Sequence, residues 1–202
     1  MFRIVVPALK RPDFGESRAA RTMAGILSKA SLGRYSEGSM QFVVRKIDLG
    51  KWFQTDIANG RPPSADACTG CLRTQKNALS LWAVQNEADA DEGVLAQVTV
   101  FDHLDTIDIV FLEKSDVEAA ELNLVATPGR TLVADLKDRH RDIIDLDYVS
   151  LGVVANLIIT KIREGAVKRY TKGDLKQLLK TALEMGRLTL AELNPNLSKK
   201  LA

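Results

Sequence analysis

The chain has 202 residues, 46% of them apolar and 27% charged, with a net charge of +2, which is the make-up of a folded domain with a sizeable core and not of a disordered segment. No apolar run approaches the ~20 residues of a membrane-spanning helix, and two cysteines are too few for a disulfide framework. The opening MFRIVVPALKRPDF holds too few apolar residues before Lys10 and Arg11 for a signal-peptide core, so a cytoplasmic protein without a membrane partner is expected.

Residues 2–6, FRIVV, predict a first short strand. Over residues 16–30, Ala19, Ala20, Met23, Ile26, Leu27 and Ala30 recur at helical spacing, with Gly33 as a stop. Residues 38–49 alternate Met40, Phe42 and Val44 against polar neighbours and predict a second strand. The stretch 54–77 is rich in Pro, Gly, Ser and Asn and reads as a long loop. Residues 78–84, ALSLWAV, read as a strand, and 86–93 as an acidic turn. Val94, Leu95, Val98 and Phe101 then follow at helical spacing.

TIDIVFLEK, residues 106–114, is the strongest strand signal in the chain. Residues 115–122 predict a short helix with Ser115 as N-cap and Glu118 three residues on. Residues 124–133, LVATPGRTLV, suggest two β segments joined by a type II turn at Pro128 and Gly129. The remainder reads as helical: 147–165 ending at Gly165, 171–186 with a Thr171/Asp174 capping box, and a third helix opening on Thr189 and Glu192. The expected fold is α/β (α+β): a mixed sheet flanked by helices over 1–145, with the long loop at 54–77, and an all-helical C-terminal subdomain over 146–202 packed on it.

Charge is segregated along the chain. Residues 85–147 carry sixteen acidic side chains against five basic ones, and residues 148–202 carry ten basic against four acidic. Internal compensation in the fold is the more common outcome of such a pattern, ahead of separate faces for separate partners.

Cys68 and Cys71 form a CxxC. A redox pair needs a strand before the first cysteine and a helix after it, whereas RPPSADA precedes Cys68, so two reduced thiols in a turn are expected. With His103 and His140 the two thiols complete the four-ligand inventory of a zinc site, yet the spacing lacks any paired ligands beyond the CxxC. HRD at 140–142 has the letters of a kinase catalytic loop without the glycine-rich loop or the metal-binding Asn that such a site needs. His103, Asp105, Asp108 and Glu113 cluster around one predicted strand, and acids at strand ends can hold Mg²⁺ for phosphodiester hydrolysis. Against that, Glu113 and Lys114 are adjacent and point to opposite faces of a strand. A lone glycine and arginine in ATPGRT do not make a phosphate loop.

The C-terminal helices carry Lys176, Lys180 and Arg187, which suit either docking on a partner or contact with DNA phosphates. Pro195 sits where a recognition helix would continue, which favours docking. Trp52, Phe53 and Arg61, beside and within the 54–77 loop, are further candidate contacts. No catalytic constellation stands out, and no cofactor is implied. The reading is therefore a non-enzymatic, cytoplasmic accessory or regulatory subunit acting through a protein partner or as a homo-oligomer. A metal-dependent hydrolase or nuclease using Asp105, Asp108 and Glu113 is the alternative, and nucleic-acid binding through the C-terminal helices a second.

Overall fold

The strand 107–113, IDIVFLE, is apolar at nearly every position, and a strand of that kind demands cover on both faces. The structure, a computed structural model, describes residues 40–52, 59–60 and 62–201 and meets that demand with three layers. Among these residues six strands form one sheet: β1 (Phe42–Ile47), β2 (Leu79–Val84), β3 (Ile107–Glu113), β4 (Asn123–Ala126), β5 (His140–Ile144) and β6 (Val167–Tyr170). Their order is β4-β5-β2-β1-β3-β6, and every neighbouring pair is antiparallel. The helices are α1 (Ala65–Cys71), α2 (Ala90–Val98), α3 (Lys114–Ala119), α4 (Tyr148–Glu164), α5 (Lys172–Glu184) and α6 (Pro195–Leu201).

Strand alternation divides the core in two. On one face Val43, Ile47, Leu79, Leu81, Val110 and Leu112 pack against Ala67 and Cys71 of α1, Val117 of α3, and Val154, Ile158 and Ile162 of α4. On the other face Val44, Trp82, Ile107, Ile109 and Phe111 pack against Val94 and Leu95 of α2, Leu175 and Leu179 of α5, and Leu197 and Leu201 of α6. The described residues all belong to one compact unit, Arg34–Ala202.

The α+β class is as expected, with helices on both faces and at the C-terminal end. The sheet is antiparallel where the β/α alternation suggested a mixed one. β3 and β4, joined through α3, are not neighbours, since β1, β2 and β5 lie between them, and β1 and β2, joined through α1, pair antiparallel. A strand also interrupts the C-terminal region: Gly165 turns left-handed (φ 79°) to end α4, and β6 then pairs with the free edge of β3.

Other local differences have equally plain causes. The 54–77 stretch contains α1, capped by Ser64, whose Oγ accepts the Ala67 N–H at 3.2 Å. The first turn of α3 begins at Lys114, so Ser115 lies inside the helix and Glu113 is its N-cap. Pro128 and Gly129 make no hairpin, because β4 pairs with β5 across a 3₁₀ turn at Ala134–Arg139. The Thr189/Glu192 box closes a turn, with the Thr189 N–H 2.7 Å from Glu192 Oε2, and α6 starts only at Pro195. Proline suits that first helical position because its missing N–H would have had no partner there. The strand expected at 2–6 and the helix at 16–30 lie outside the described residues.

Candidate functional site

A cavity of about 590 Å³ forms an open groove between α2, β6 and α5, within the usual size range of ligand sites. Antiparallel pairing of β6 with β3 places Lys168 and Tyr170 beside the first turn of α2, which carries Asp91 and Glu92. The α5 wall contributes Leu178, Ala182 and Met185, with Leu95 of α2 across from it. Beyond the end of α5, where Gly186 turns left-handed (φ 68°), Arg187 folds back toward Glu92.

The charges of the groove are matched among themselves. Asp91 Oδ1 accepts both the Tyr170 hydroxyl (2.6 Å) and the Lys168 ammonium (2.9 Å). Lys168 Nζ also lies 4.7 Å from the Tyr170 ring centre. Burial, and then the hydrogen bond to Asp91, push the Tyr170 phenol above its usual range, so it stays protonated. Arg187 grips both oxygens of Glu92 (2.9 and 2.6 Å) and reaches Asp135 at 2.7 Å. The bonds to Glu92 and then Asp135, opposed by burial, raise its guanidinium pKa. A phenol locked in its neutral form and two carboxylates already holding cations offer no ready base or nucleophile. Met185, 67% exposed, and the half-buried Leu178 offer apolar contact instead.

The four residues of the acid set fall in three separate places. His103 and Asp105 pair on the surface at 2.8 Å, and Lys172 bonds Asp105 at 2.9 Å. The hydrogen bond from Lys172, ahead of the other influences, holds the Asp105 carboxyl below its ordinary range. Asp108 is buried and takes a two-pronged grip from Arg169 (2.7 and 3.1 Å), with the Leu49 N–H at 3.3 Å. At the far end of β3, Glu113 bonds the buried ammonium of Lys161 at 3.0 Å, which Asp116 and Glu164 also approach at 2.8 and 3.0 Å.

The zinc set is likewise divided. Cys68 and Cys71 are free thiols on α1. His140 lies on β5, edge-on to Trp82 at 5.0 Å between ring centres. Thr127 donates to Asp142 Oδ2 at 2.7 Å, so its oxygen accepts from the His140 Nδ1–H, also at 2.7 Å. Among the described residues no three His, Cys, Asp or Glu side chains are grouped to hold a metal ion.

The expected partner contacts are dispersed too. Trp52 is wholly buried in the core and is no surface contact. Phe53 and Arg61 lie outside the described residues. Arg187 lines the groove, whereas Lys176 and Lys180 fall on a different stripe of α5 from Asp174, Leu178, Thr181 and Met185, which face it. The groove escaped sequence reasoning because its halves are some eighty positions apart and meet only through the β3–β6 ladder. The opposite charges of the two segments were the one available signal.

No family model, curated protein or solved structure matches this chain. No helix among the described residues is long and apolar enough to cross a membrane.

Proposed function

We propose that the protein is a non-enzymatic, cytoplasmic binding subunit whose groove between α2, β6 and α5 receives the apolar face of a helix from a partner protein. One observation carries this reading: the groove's acids and bases are satisfied internally, which leaves Leu178 and Met185, above a floor of buried Leu95 and Ala182, to supply contact. A groove walled by helices suits a helical segment with one or two aliphatic anchors and no matching charge. Methionine on the rim adapts its shape to such an anchor. The two free thiols agree with a reducing compartment. The hydrolase alternative has less support, since Asp105, Asp108 and Glu113 each serve a different cation. Contact with nucleic acid has less support as well, since Arg187 is committed to Glu92 and Asp135.

The test places a photo-crosslinking side chain at Met185 or, as a control on the opposite layer, at Tyr148, which is 87% exposed on α4. A protein adduct forms from position 185 and not from 148. That protein, purified, then binds the unmodified chain at least about tenfold more tightly than it binds Met185→Asp, because a carboxylate at that contact must be desolvated against an apolar anchor. Equal adducts from both positions, or an affinity indifferent to Met185→Asp, overturn the reading.

A further inference from the structure

We propose that Cys68 and Cys71 form a thiol–disulfide exchange site, in which Cys68 takes up a low-molecular-weight disulfide and Cys71 resolves it into an internal Cys68–Cys71 bond. The inference stands apart from the groove, which lies on the other face of the sheet.

Three features of α1 carry it. The cysteines are three apart on a helix and share one stripe, with Cβ atoms about 5–6 Å apart in regular geometry against about 4 Å in a disulfide. The missing ångström or two is found most readily in a final turn, and Cys71 is the last residue of α1, with Gly70 between the two thiols. The two thiols also differ in access. Cys68 is partly exposed, whereas Cys71 is 6% exposed and beyond reach of a molecule the size of glutathione disulfide. Finally, the Cys71 sulfur is fixed in position. It accepts the Asp48 N–H at 3.1 Å, and the Arg45 guanidinium is clamped on the Cys71 carbonyl at 2.9 and 3.2 Å.

The chemistry balances with glutathione disulfide as oxidant. The Cys68 thiolate attacks one sulfur, the S–S bond breaks and a glutathione thiolate leaves, giving a mixed disulfide on Cys68. The Cys71 thiolate then attacks the Cys68 sulfur and expels the second glutathione. The dithiol gives up two electrons and two protons, and one disulfide becomes two thiols. Cys68 stands one turn inside the helix and gains nothing from an N-terminal dipole. Burial, and then the neighbouring Cys71, push its thiol above the ordinary value, so the first step quickens as pH rises through the thiol range. These properties describe a slow, reversible modification site rather than a fast oxidoreductase.

The test uses the reduced, native full-length chain with glutathione disulfide under mildly alkaline conditions, followed by acid quenching and intact mass measurement. The unmodified sequence ends two hydrogens lighter, carrying about tenfold less glutathionyl adduct than Cys71→Ser, which stops at one adduct because the resolving thiol is gone. Cys68→Ser keeps its Cys71 thiol unreacted over the same interval, and the rate for the unmodified chain rises with pH. The proposal is overturned if the unmodified chain accumulates the adduct or does not react. It is overturned equally if Cys68→Ser reacts as fast as Cys71→Ser. The mass of the unmodified chain alone decides the matter should either variant fail to fold.

Discussion

Glycine to alanine at two positions should move stability in opposite directions, and the structure sets both signs. Gly129 lies against the Trp82–His140 pair, with its own N–H donating to the Lys137 carbonyl at 2.9 Å. A Cβ there would stand 2.5 Å from Trp82 Cη2, 2.9 Å from Cζ3 and 2.8 Å from His140 Cβ. Carbon atoms in contact need about 3.5–4.0 Å, so the indole or the loop must retreat by about 1 Å. Trp82 belongs to a buried strand flanked by β1 and β5, and that backbone has no room to give. Overpacking of this kind costs about 1–3 kcal/mol, and the loss of chain freedom in the unfolded state returns about 0.4–1 kcal/mol. The net reaches about 2.6 kcal/mol of destabilisation at most and centres on ~1.3 kcal/mol, or about 3–5 °C in Tm for a chain of this length. Gly152 sits in mid-α4 with open space where its Cβ would be. Alanine there should add about 1 kcal/mol of helix propensity and raise Tm by about 2–4 °C. Urea unfolding followed by tryptophan emission, alongside thermal melts by circular dichroism, measures both. A Gly129→Ala protein as stable as the parent would refute the claim that packing, and not turn conformation, selects that glycine.

Lys161→Ala leaves Glu113, Asp116 and Glu164 crowded without their cation, and should cost about 2–4 kcal/mol in urea titrations, somewhat under a fully buried pair because the acids keep part of their hydration. Burial opposes the Lys161 charge, but the bonds from Asp116, Glu113 and Glu164 outweigh it and raise the pKa. The stability it lends is therefore full below the ordinary lysine value of about 10.4 and is lost at higher pH, so the alkaline decline should flatten in Lys161→Met. Burial lowers the His140 pKa against the pull of Asp142, with Arg141 and Arg45 adding to the depression. The unfolded chain then takes up the proton first, and stability falls with acidification from about pH 6.5 toward 5. His140→Gln should lose less over that interval; identical slopes for the two proteins would remove His140 as the cause.

What could be read in advance was whatever repeats with a period. β1, β2, β3, α4 and α5 all follow from apolar spacing in windows long enough to show it, and Asp174 at N3 of α5 closes the predicted box with Thr171, its Oδ2 2.8 Å from the Thr171 N–H. Short elements that owe their existence to a partner were not legible. ADACTGC has no amphipathic stripe, and α1 forms because Ser64 caps it and Arg45 holds its last carbonyl. VKRY falls between two expected helices and is a strand only because β3 offers it an edge. Gly129 was read through its conformational freedom, yet its φ is not positive and its place is set by the indole beside it. For the candidate site, single residues such as Arg187 were visible, while the groove itself depends on a pairing that no local window contains.

The charge pattern links these two outcomes. The acidic segment 85–147 and the basic segment 148–202 do not present opposite faces to separate partners; they bind one another. Lys161 meets Glu113 and Asp116, Lys168 meets Asp91, and Arg169 meets Asp108. Lys172 meets Asp105, and Arg187 meets Glu92 and Asp135. Individually the exposed pairs contribute little, but together they fix where β6 and α5 lie against β3 and α2, and that placement creates the groove. Acids that resemble a metal site in sequence, Asp105, Asp108 and Glu113, are three of these clasps. A carboxylate already holding a cation must release it before accepting a metal or a proton, so the same pairing that shapes the groove raises the cost of any chemistry on those acids.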